Sequence, residues 1–501
     1  MGKVASFINL GFISLDRTAG TPLHRQLYET LQSAILQGRL RAGVRLPSTR
    51  ALATELDVSR NTVNKAYTQL LTEGYLESLV GSGTRVTRAL PEEMLQAKVV
   101  EVGESGDFSA ESQPPPRLSK RAAALTDLPF AWEQARPQAF DSALPAVDMF
   151  PKKIWERLLI SCWREMSLNE MGYQSALGYQ PLREALATYL PAARGVLCSA
   201  ENIIITTGAQ QAVSLAANLI LNRGDHAWIE NPSYPGIQSA LVGSLAKMIP
   251  IDVDNDGLKV EEGIRSAPNA RLAYISPSHQ YPLGVTMSLT RRLQLLQWAQ
   301  EKRAWIIEDD YDSEFRYGGY PLGSVQGLDK AGRVIYVGTF SKVLYPALRI
   351  GYMIVPQRLI KPFHAARAHA VRAAPLLEQA VVTRFITEGH FARHVRRMRT
   401  LYAERQTILV EMVQRFVKDF LTVEPTEAGL HLVGWLPVGV DDQMISRKLR
   451  EHGLIAPALS SFAHRPLRRG GLVLGFAAVP NNEIPMAVKR MWGVLEANIR
   501  L

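Results

Sequence analysis

The lysine with the most distinctive chemical surroundings is Lys342, in the string GTFSKVLYPALRIGY. Thr339 and Ser341 lie just before it, and Arg349 follows seven residues after it. A lysine that forms a Schiff base has to be held at a fixed place, and hydroxyl groups with a guanidinium are the groups that would hold a phosphate beside it. The spacing therefore predicts an amine and a phosphate site at one place. Ser-Lys alone is a weak signal, since most lysines are solvated surface residues.

A carboxylate and a phenol follow the apolar residues of a second string, IIEDDYDSEFRY. The apolar residues predict a buried strand, and Asp309 and Tyr311 emerge at its C-terminal end, where ligands bind in α/β sheets. A pyridoxal cofactor requires a carboxylate against its pyridinium nitrogen, and a hydroxyl near its phenolic oxygen O3′ suits that group. Asp309 and Tyr311 could fill these two roles. We expect Asp310 and Asp312 to face water or to cap the next turn.

Two further strings carry groups that suit the same kind of site. ITTGAQQAV runs from a strand into a helix, so the backbone amides of Gly208, Ala209 and Gln210 are predicted at a helix N-terminus, where phosphate binds favourably. A glycine at such a place is more commonly just a tight turn. In ENPSYPG, Tyr234 follows a strand end and could stack on a pyridine ring, although a single tyrosine of this kind is more often a packing residue.

The elements that must position these residues alternate between strand and helix. Apolar runs typical of strands occupy residues 202–207, 226–230, 272–276, 304–309 and 334–338. Helical patterns separate them, and this alternation predicts a mainly parallel α/β sheet.

The N-terminal part follows a different pattern. It predicts an amphipathic helix over residues 22–37, a short helix over 48–56 and a second start at Ser59 that runs to Gly74. Two short helices joined by a tight turn form a helix-turn-helix. The strand-like pieces YLES and TRVTR then add a wing with Gly81 near its tip.

In a helix-turn-helix the second helix presents its N-terminal side chains to the major groove. Arg60, Asn61, Thr62 and Asn64 are the polar residues at this end, whereas an apolar stripe faces inward. Arg60 could contact guanine and the asparagines adenine, or they could hold phosphate. Arg50, Arg85 and the backbone near Gly81 suit phosphate or the minor groove. A small helical domain with a solvated basic face is the plainer alternative.

Composition limits the remaining function classes. The chain has 501 residues, 57 Lys and Arg against 47 Asp and Glu, and a formal net charge of +10, of which residues 1–90 carry +5. The two cysteines, Cys162 and Cys198, support neither a disulfide framework nor a thiolate metal site, and we predict no metal. No run of about 18 apolar residues predicts a membrane span, so we expect a cytoplasmic protein. A Pro-rich stretch at residues 113–117 indicates a linker, which predicts domains over 1–88 and 138–501 joined by 89–137.

The stretch LPSTRALATELDVSRNTVNKAYTQLLTEGYLESLVGSGTRV resembles the winged helix-turn-helix of GntR-type repressors along its whole length. The P-S-x-R opening, the V-S-R-x-T-V start and the G-x-G wing carry the match. The resemblance implies DNA contacts at Arg50, Arg60, Asn61, Thr62, Asn64 and Gly81. The family often has arginine where Asn64 stands.

Residues 138–501 resemble fold type I aminotransferases of the aspartate aminotransferase group, because the four strings above occur in that family's order. The resemblance implies that Lys342 is the Schiff-base lysine, that Asp309 pairs with the ring nitrogen and Tyr311 with O3′, and that Tyr234 stacks on the ring. It implies phosphate contacts at Ala209, Gln210, Thr339, Ser341 and Arg349. The fold class predicted for the chain is therefore a mainly α winged helix-turn-helix followed by an α/β aminotransferase-like domain that binds pyridoxal 5′-phosphate.

Two positions depart from that enzyme pattern. In SPSHQYPLG, Tyr281 stands where the enzymes have an asparagine near O3′, so Tyr311, with His279 nearby, would have to serve that oxygen. His279 could equally be a core histidine. In RGGLVLGFAAVP, Val473 stands where the enzymes carry an arginine for the substrate α-carboxylate. An arginine guanidinium binds a carboxylate through two parallel hydrogen bonds, and without it ordinary amino-acid transamination lacks a main contact to its substrate.

A DNA-binding module fused to an aminotransferase-like body resembles the MocR subfamily of GntR regulators over nearly the whole chain. The resemblance implies a transcription factor that binds double-stranded operator DNA, works as a head-to-tail homodimer and senses a small amine or pyridoxal phosphate itself. An active aminotransferase with an accessory DNA-binding module is the main alternative. A structural DNA-binding dimer with an inactive pocket is another.

Overall fold

The computed structural model describes residues 10–79, 83–87, 117–128, 137–318, 323–371 and 374–499. The chain divides into two compact units, residues 1–116 and 117–501. None of the described helices is long and apolar enough to cross a membrane. The strands are β1 Leu76–Leu79, β2 Gly83–Val86, β3 Ile203–Thr206, β4 His226–Asn231, β5 Lys247–Asp254, β6 Gly257–Leu258, β7 Leu272–Ile275, β8 Trp305–Asp310, β9 Val334–Thr339, β10 Gly351–Ile354, β11 Thr422–Val423, β12 His431–Trp435 and β13 Gly471–Gly475.

The α-helices are α1 Leu23–Leu36, α2 Thr49–Glu55, α3 Arg60–Thr72, α4 Lys120–Thr126, α5 Lys152–Glu165, α6 Gln180–Arg194, α7 Ala209–Ile220, α8 Pro235–Ser244, α9 Val260–Ser266, α10 Leu289–Lys302, α11 Val325–Leu328, α12 Ile360–Ala370, α13 Leu376–Thr387, α14 His390–Phe416, α15 Asp442–Glu451 and α16 Glu483–Asn498. Short 3₁₀ turns link several of them, at residues 147–149, 200–202, 346–348, 357–359 and 459–462.

The first unit has the predicted winged helix-turn-helix fold. Ser48 and Ser59 cap α2 and α3, because their hydroxyls accept hydrogen bonds from the backbone amides of Ala51 and Thr62. Leu27 of α1, together with Val63 and other apolar residues of α3, forms one buried core. Strands β1 and β2 pair antiparallel as the wing.

The second unit contains an eight-stranded sheet in the order β3-β10-β9-β8-β7-β4-β5-β6. The pairs β9-β8, β8-β7, β7-β4 and β4-β5 are parallel, as the alternation of strands and helices predicted. Strand β10 pairs antiparallel with both β3 and β9. Strands β8 and β9 are buried along their whole length, because apolar clusters cover both faces of the sheet.

The C-terminal part of this unit contains a three-stranded antiparallel sheet, in the order β11-β12-β13. The 27-residue helix α14 packs against α16 and β11. Strand β13 reaches back toward the start of the unit, since Gly475 pairs with Phe140. This contact places Phe140 beside the three-stranded sheet.

The described part of the predicted linker is not all extended. Residues 120–126 form helix α4, which begins at a cap on Ser119 and packs against α8. The rest of the stretch 89–137, apart from residues 117–128 and 137, lies outside the described residues.

Candidate functional site

Lys342 lies in the turn that follows β9, and its side chain points toward residues 141–143. Its amine donates hydrogen bonds to the carbonyl oxygens of Ala143 at 2.6 Å and Ser142 at 3.5 Å. Burial lowers the pKa of Lys342 to about 8, although nearby carboxylates oppose this shift. An amine with a pKa near neutrality is partly uncharged, and a neutral amine is the nucleophile that attacks an aldehyde.

Asp309 lies near the C-terminal end of β8 and is buried. One of its carboxylate oxygens accepts a 2.6 Å hydrogen bond from the hydroxyl of Tyr274, while its other oxygen, Oδ1, is buried without a partner. Burial raises the pKa of Asp309 to about 7. A buried, unpaired carboxylate oxygen costs free energy until a donor reaches it, and the N–H of a pyridinium ring is such a donor.

Tyr311 forms hydrogen bonds with His279. The sequence had suggested His279 either as a neighbour of Tyr311 or as a core histidine. The Tyr311 hydroxyl donates to the backbone carbonyl of His279 at 2.9 Å and lies 2.9 Å from its ring nitrogen Nδ1. That nitrogen is also 3.0 Å from Oδ2 of Asp312. His279 is buried, and its Nε2 has no hydrogen-bond partner among the described residues. The network fixes the tyrosine hydroxyl and leaves one imidazole nitrogen available.

The expectation that Asp310 and Asp312 face water was wrong. Asp312 is buried against His279, as described above. Asp310 is also buried, where it forms a 2.8 Å ion pair with Arg194 and accepts a 2.6 Å hydrogen bond from Tyr336. Successive strand residues point to opposite faces, and both faces of this sheet are covered, so each carboxylate needed a partner inside the protein.

Several of the residues predicted to bind phosphate come together at the N-terminus of α7. Ala209 and Gln210 are its first two residues, and Gly208 precedes them with a φ of +128°. A Cβ on Gly208 would lie 3.4 Å from Nη2 of Arg349, so the guanidinium lies against the start of this helix. The amides of the first helical turn and an arginine form a suitable site for a phosphate.

Thr339 and Ser341, which are also predicted to bind phosphate, contact each other. The backbone amide of Ser341 donates to Oγ1 of Thr339 at 3.2 Å, and the two hydroxyls lie 3.1 Å apart. The side-chain amide nitrogen of Gln210 is occupied, because it donates to the carbonyl of Gly236 and the hydroxyl of Ser239, and the side-chain oxygen Oε1 is an acceptor that cannot donate to a phosphate. The structure therefore leaves the backbone amide of Gln210 as its contribution to an anion site.

Aromatic rings surround the space between these groups. The centroid of the Tyr281 ring lies 6.2 Å from that of Tyr234 and 5.9 Å from that of Tyr311. The Tyr281 hydroxyl is 3.4 Å from Oγ of Ser142, and burial raises its pKa to about 12. Taken together, the unpaired oxygen of Asp309, the amine of Lys342 and the anion site at α7 fit a pyridoxal phosphate cofactor.

Val473, where the enzyme pattern has an arginine, is fully buried in β13 opposite Val433 of β12. These two valines and Leu459 form an apolar cluster. Phe462 packs against that cluster and lies 5.3 Å from the Tyr281 ring, centroid to centroid. The immediate surroundings of Val473 are therefore apolar.

In the first unit, the predicted DNA-binding side chains lie at the start of α3 or on α2. Arg60, Asn61 and Asn64 are exposed, as is Arg50 on α2. Thr62 is half-buried and its hydroxyl lies 2.8 Å from that of the cap Ser59, so it contributes to the start of the helix. Gly81 lies outside the described residues.

Arg85, which was also a candidate for contacting DNA, makes a hydrogen bond within the first unit. Its guanidinium donates to the backbone carbonyl of Gly43 at 3.1 Å.

Comparisons with known proteins agree with this arrangement. Residues 23–86 match the family of "Bacterial regulatory proteins, gntR family", and residues 152–491 match "Aminotransferase class I and II". The chain is 42% identical over 466 residues to the "Probable rhizopine catabolism regulatory protein MocR" of Rhizobium meliloti, covering 93% of this chain and 92% of that protein. The chain belongs to the MocR subfamily of GntR-type regulators.

Other relatives of this MocR-type regulator point the same way. It is 30% identical to the pyridoxine biosynthesis regulator PdxR of Corynebacterium glutamicum, over 93% of this chain and 94% of that protein. Among solved structures, the kynurenine aminotransferase of Pyrococcus horikoshii is 28% identical, with a TM-score of 0.68 over 79% of this chain and 99% of the other. The MocR-type chain thus combines a GntR DNA-binding domain with an aminotransferase-like domain of the pyridoxal phosphate-dependent class.

Three residues of the site were not singled out from the sequence of this MocR-type regulator. Tyr274 lies in the apolar run LAYIS, where a tyrosine is an ordinary strand residue. Asp141 lies 201 positions before Lys342 and directly precedes Ser142 and Ala143, whose carbonyl oxygens accept from the lysine. His431 lies on β12 of the small sheet, and its ring centroid is 4.9 Å from that of His279. The one signal for Tyr274 in the sequence was a polar residue inside an otherwise apolar run. The sequence around Asp141 and His431 contained no comparable signal.

Proposed function

We propose that this chain is a pyridoxal phosphate-dependent transcription factor that senses a small amine, or the cofactor itself, and changes its affinity for operator DNA. The observation that carries the proposal is the unpaired Oδ1 of the buried Asp309, which suits the ring nitrogen of the cofactor. The buried amine of Lys342 lies in the same unit, and the chain also has a GntR-type DNA-binding domain. The chain would act in the cytoplasm, where its operator lies.

In this proposal Lys342 would hold the cofactor covalently and Asp309 would pair with the ring nitrogen. Tyr311 would serve O3′ with support from His279, and Tyr234 would stack on the ring. The start of α7 would hold the phosphate, through Ala209, Gln210, Thr339, Ser341 and Arg349. When bound, pyridoxal phosphate would supply an aldehyde carbon with which primary amines react, and Lys342 would be the residue whose amine holds it.

On the DNA side, Arg60, Asn61 and Asn64 reach the bases or the phosphates of the operator, while Thr62 orders the start of the recognition helix. Arg50 and the wing near Gly81 hold the backbone. An effector changes the affinity for DNA only if it binds one arrangement of the two units more tightly than another.

We also propose that two copies pair head to tail. Large apolar side chains are exposed along the second half of α5 and the residues that follow it, as the exposures of Trp163, Leu168, Met171 and Tyr173, from 54% to 90%, indicate. An apolar surface of this kind on a soluble chain favours a protein interface. A second copy is the occupant that also supplies two DNA-binding modules for a two-fold operator.

The test uses the full chain loaded with pyridoxal phosphate. An operator is selected from random duplexes, and candidate amines and pyridoxal phosphate are then titrated while visible absorbance and DNA binding are recorded together. We expect one ligand to change both signals over the same concentration range, and Lys342→Ala to abolish the absorbance band. A ligand that changes the spectrum without ever changing DNA affinity contradicts the sensing model. Steady turnover of an amino donor at enzyme-like rates would establish the aminotransferase alternative.

A further inference from the structure

Helix α14 has a basic face to which the proposed function gives no role. Arg393, Arg396 and Arg397 are three and four residues apart, so they lie on one face of the helix, and all three are exposed. The other face of the same half of the helix is buried and consists of Phe391, His394, Val395, Met398 and Tyr402. The three arginines are therefore separate from the core of the second unit.

Arg157 of α5 extends this basic face. It is exposed, and its Nη2 lies 3.3 Å from Nε2 of His390, the first residue of α14. The other ring nitrogen of His390, Nδ1, lies 2.7 Å from Nη2 of Arg393. One imidazole thus lies between arginines of two helices. We call Arg157, Arg393, Arg396 and Arg397 together the basic surface.

The basic surface has no compensating carboxylate within the part of the chain that the structure describes. None of its four guanidinium groups forms an ion pair with a described acidic side chain. Glu388, which precedes α14, is occupied, because it pairs with Arg384 at 2.9 Å and lies 3.3 Å from His390. On α14 itself the first acidic residue is Glu404, about two turns beyond Arg397. The positive charges of this surface are therefore available to an external anion.

Buried contacts fix the helix that carries most of the basic surface. His394 is 7% exposed, and its Nε2 lies 2.9 Å from the carbonyl oxygen of Val343, the residue after Lys342. Arg399 donates to the carbonyl oxygen of Glu314, in the segment that follows β8. Because the backbone of α14 is already ordered, an anion that binds here has to order only the arginine side chains, which lowers the cost of binding.

The phosphate backbone of DNA is the anion that fits this surface best. An arginine guanidinium binds a phosphate through two parallel hydrogen bonds, and a duplex presents many phosphates to neighbouring arginines. The same chain has a GntR-type DNA-binding domain, so a duplex held by the first unit is present at a high effective concentration for a second site on the chain. An acidic protein would match the charge, but it would have to be brought to the surface independently.

We propose that the basic surface binds phosphates of the operator duplex that lie outside the base pairs contacted by the winged helix-turn-helix. This inference rests on the proposed function, because it assumes that the chain binds an operator. Phosphate contacts carry no sequence information directly, and the affinity that they add falls with salt because each neutralised phosphate releases counterions. The second unit is then a DNA-binding surface as well as a candidate cofactor site.

The experiment measures the salt slope, the change of log affinity with log salt concentration, for the full, cofactor-loaded chain on two duplexes. The short duplex contains only the base pairs whose substitution changes the affinity, and the long duplex adds about two helical turns on each side. Arg396→Gln combined with Arg397→Gln should reduce the slope on the long duplex by at least about two. On the short duplex the slope should not change. An unchanged slope on both duplexes would overturn the inference, as would an equal decrease on both.

Two further variants separate phosphate binding from net charge and from packing. Arg447→Gln combined with Arg450→Gln removes two exposed arginines from α15 and should leave the slope on the long duplex unchanged. A decrease as large as that of the α14 variant would show that net charge alone is responsible, and would contradict the proposal. Arg396→Lys combined with Arg397→Lys keeps both charges and should keep most of the slope. If the lysine variant loses as much as the glutamine variant, the arginines do not act through their charge.

Failure of this inference is distinguishable from failure of the proposed function. A chain that selects no operator from random duplexes contradicts the proposed function itself. A chain that binds its operator, and whose α14 variant keeps the unchanged slope on the long duplex, contradicts the role of the basic surface alone.

Discussion

Tyr274 donates a 2.6 Å hydrogen bond to one oxygen of Asp309 and leaves the other oxygen of that buried carboxylate without a partner. The tyrosine lies on β7 and the aspartate on the neighbouring parallel strand β8. Burial raises the pKa of Asp309 to about 7, and the bond from Tyr274 opposes that rise. Tyr274 thus favours the ionised form of the group proposed to face the pyridinium ring.

Tyr274→Phe should therefore weaken the binding of pyridoxal phosphate. Losing one charge-assisted hydrogen bond raises the pKa of Asp309 further and lowers the affinity at pH 7 by about tenfold, and raising the pH should restore part of it because the carboxylate ionises again. Titration of the cofactor-free chain with pyridoxal phosphate measures this. Tyr336→Phe is the matched control, since Tyr336 donates an equally short bond to Asp310 on the same strand. Equal losses in both variants would indicate general destabilisation and contradict the prediction.

The pH dependence of cofactor attachment follows from Lys342. Its pKa of about 8 lies below the ordinary value of 10.5, so the neutral amine gains population as the pH rises through 8. The rate of attachment should increase about fivefold from pH 7 to pH 8 and less than about twofold from pH 8 to pH 9. N-acetyl-lysine methylamide is the control, because its rate should keep rising about tenfold per unit over the same range. Stopped-flow absorbance gives both rates, and parallel profiles for protein and control would contradict the lowered pKa.

Many of the residues that come together in the candidate site were identifiable from the sequence, because they lie in short local strings. Lys342 and Asp309 are 33 residues apart in sequence, and the parallel pairing of β8 and β9 brings the ends of their strands together, as it does in α/β sheets generally. Both residues were identifiable because Asp309 lies near the end of one apolar run and Lys342 comes just after another.

The rest depended on contacts that the sequence does not encode locally. The segment that accepts hydrogen bonds from Lys342, at the carbonyl oxygens of Ser142 and Ala143, follows Phe140, which pairs with Gly475 of the small sheet. The burial of Asp310 reflects Arg194 and Tyr336, which come from α6 and β9. The antiparallel strand β10 escaped the strand pattern because it is short and its first two residues, Gly351 and Tyr352, are also the end of the lysine string.

The recognition helix gives a prediction about DNA. Arg60→Ala should weaken operator binding by about 1–3 kcal/mol if the arginine contacts a base, and should lower the salt slope of binding by about one if it contacts phosphate. Either result supports the assignment, and fluorescence anisotropy at several salt concentrations distinguishes them. Arg25→Ala is the control, because Arg25 is an exposed arginine on α1 that pairs with Glu29 at 3.1 Å. Binding by Arg60→Ala that matches the Arg25→Ala control at every salt concentration would remove Arg60 from the interface.

The exposed apolar surface on α5 gives a prediction about assembly. Trp163 is 57% exposed there, so Trp163→Arg would place a charge in the proposed contact between two copies and should raise the dimer dissociation constant by about tenfold or more. Sedimentation velocity of the full chain measures the change. Trp492→Arg is the matched control, since Trp492 is 39% exposed on α16 and lies outside the proposed surface. Because a head-to-tail dimer presents two recognition helices, we expect Trp163→Arg to lose operator affinity together with the dimer. A variant that remains dimeric at the concentrations where the Trp492→Arg control does would place the contact elsewhere.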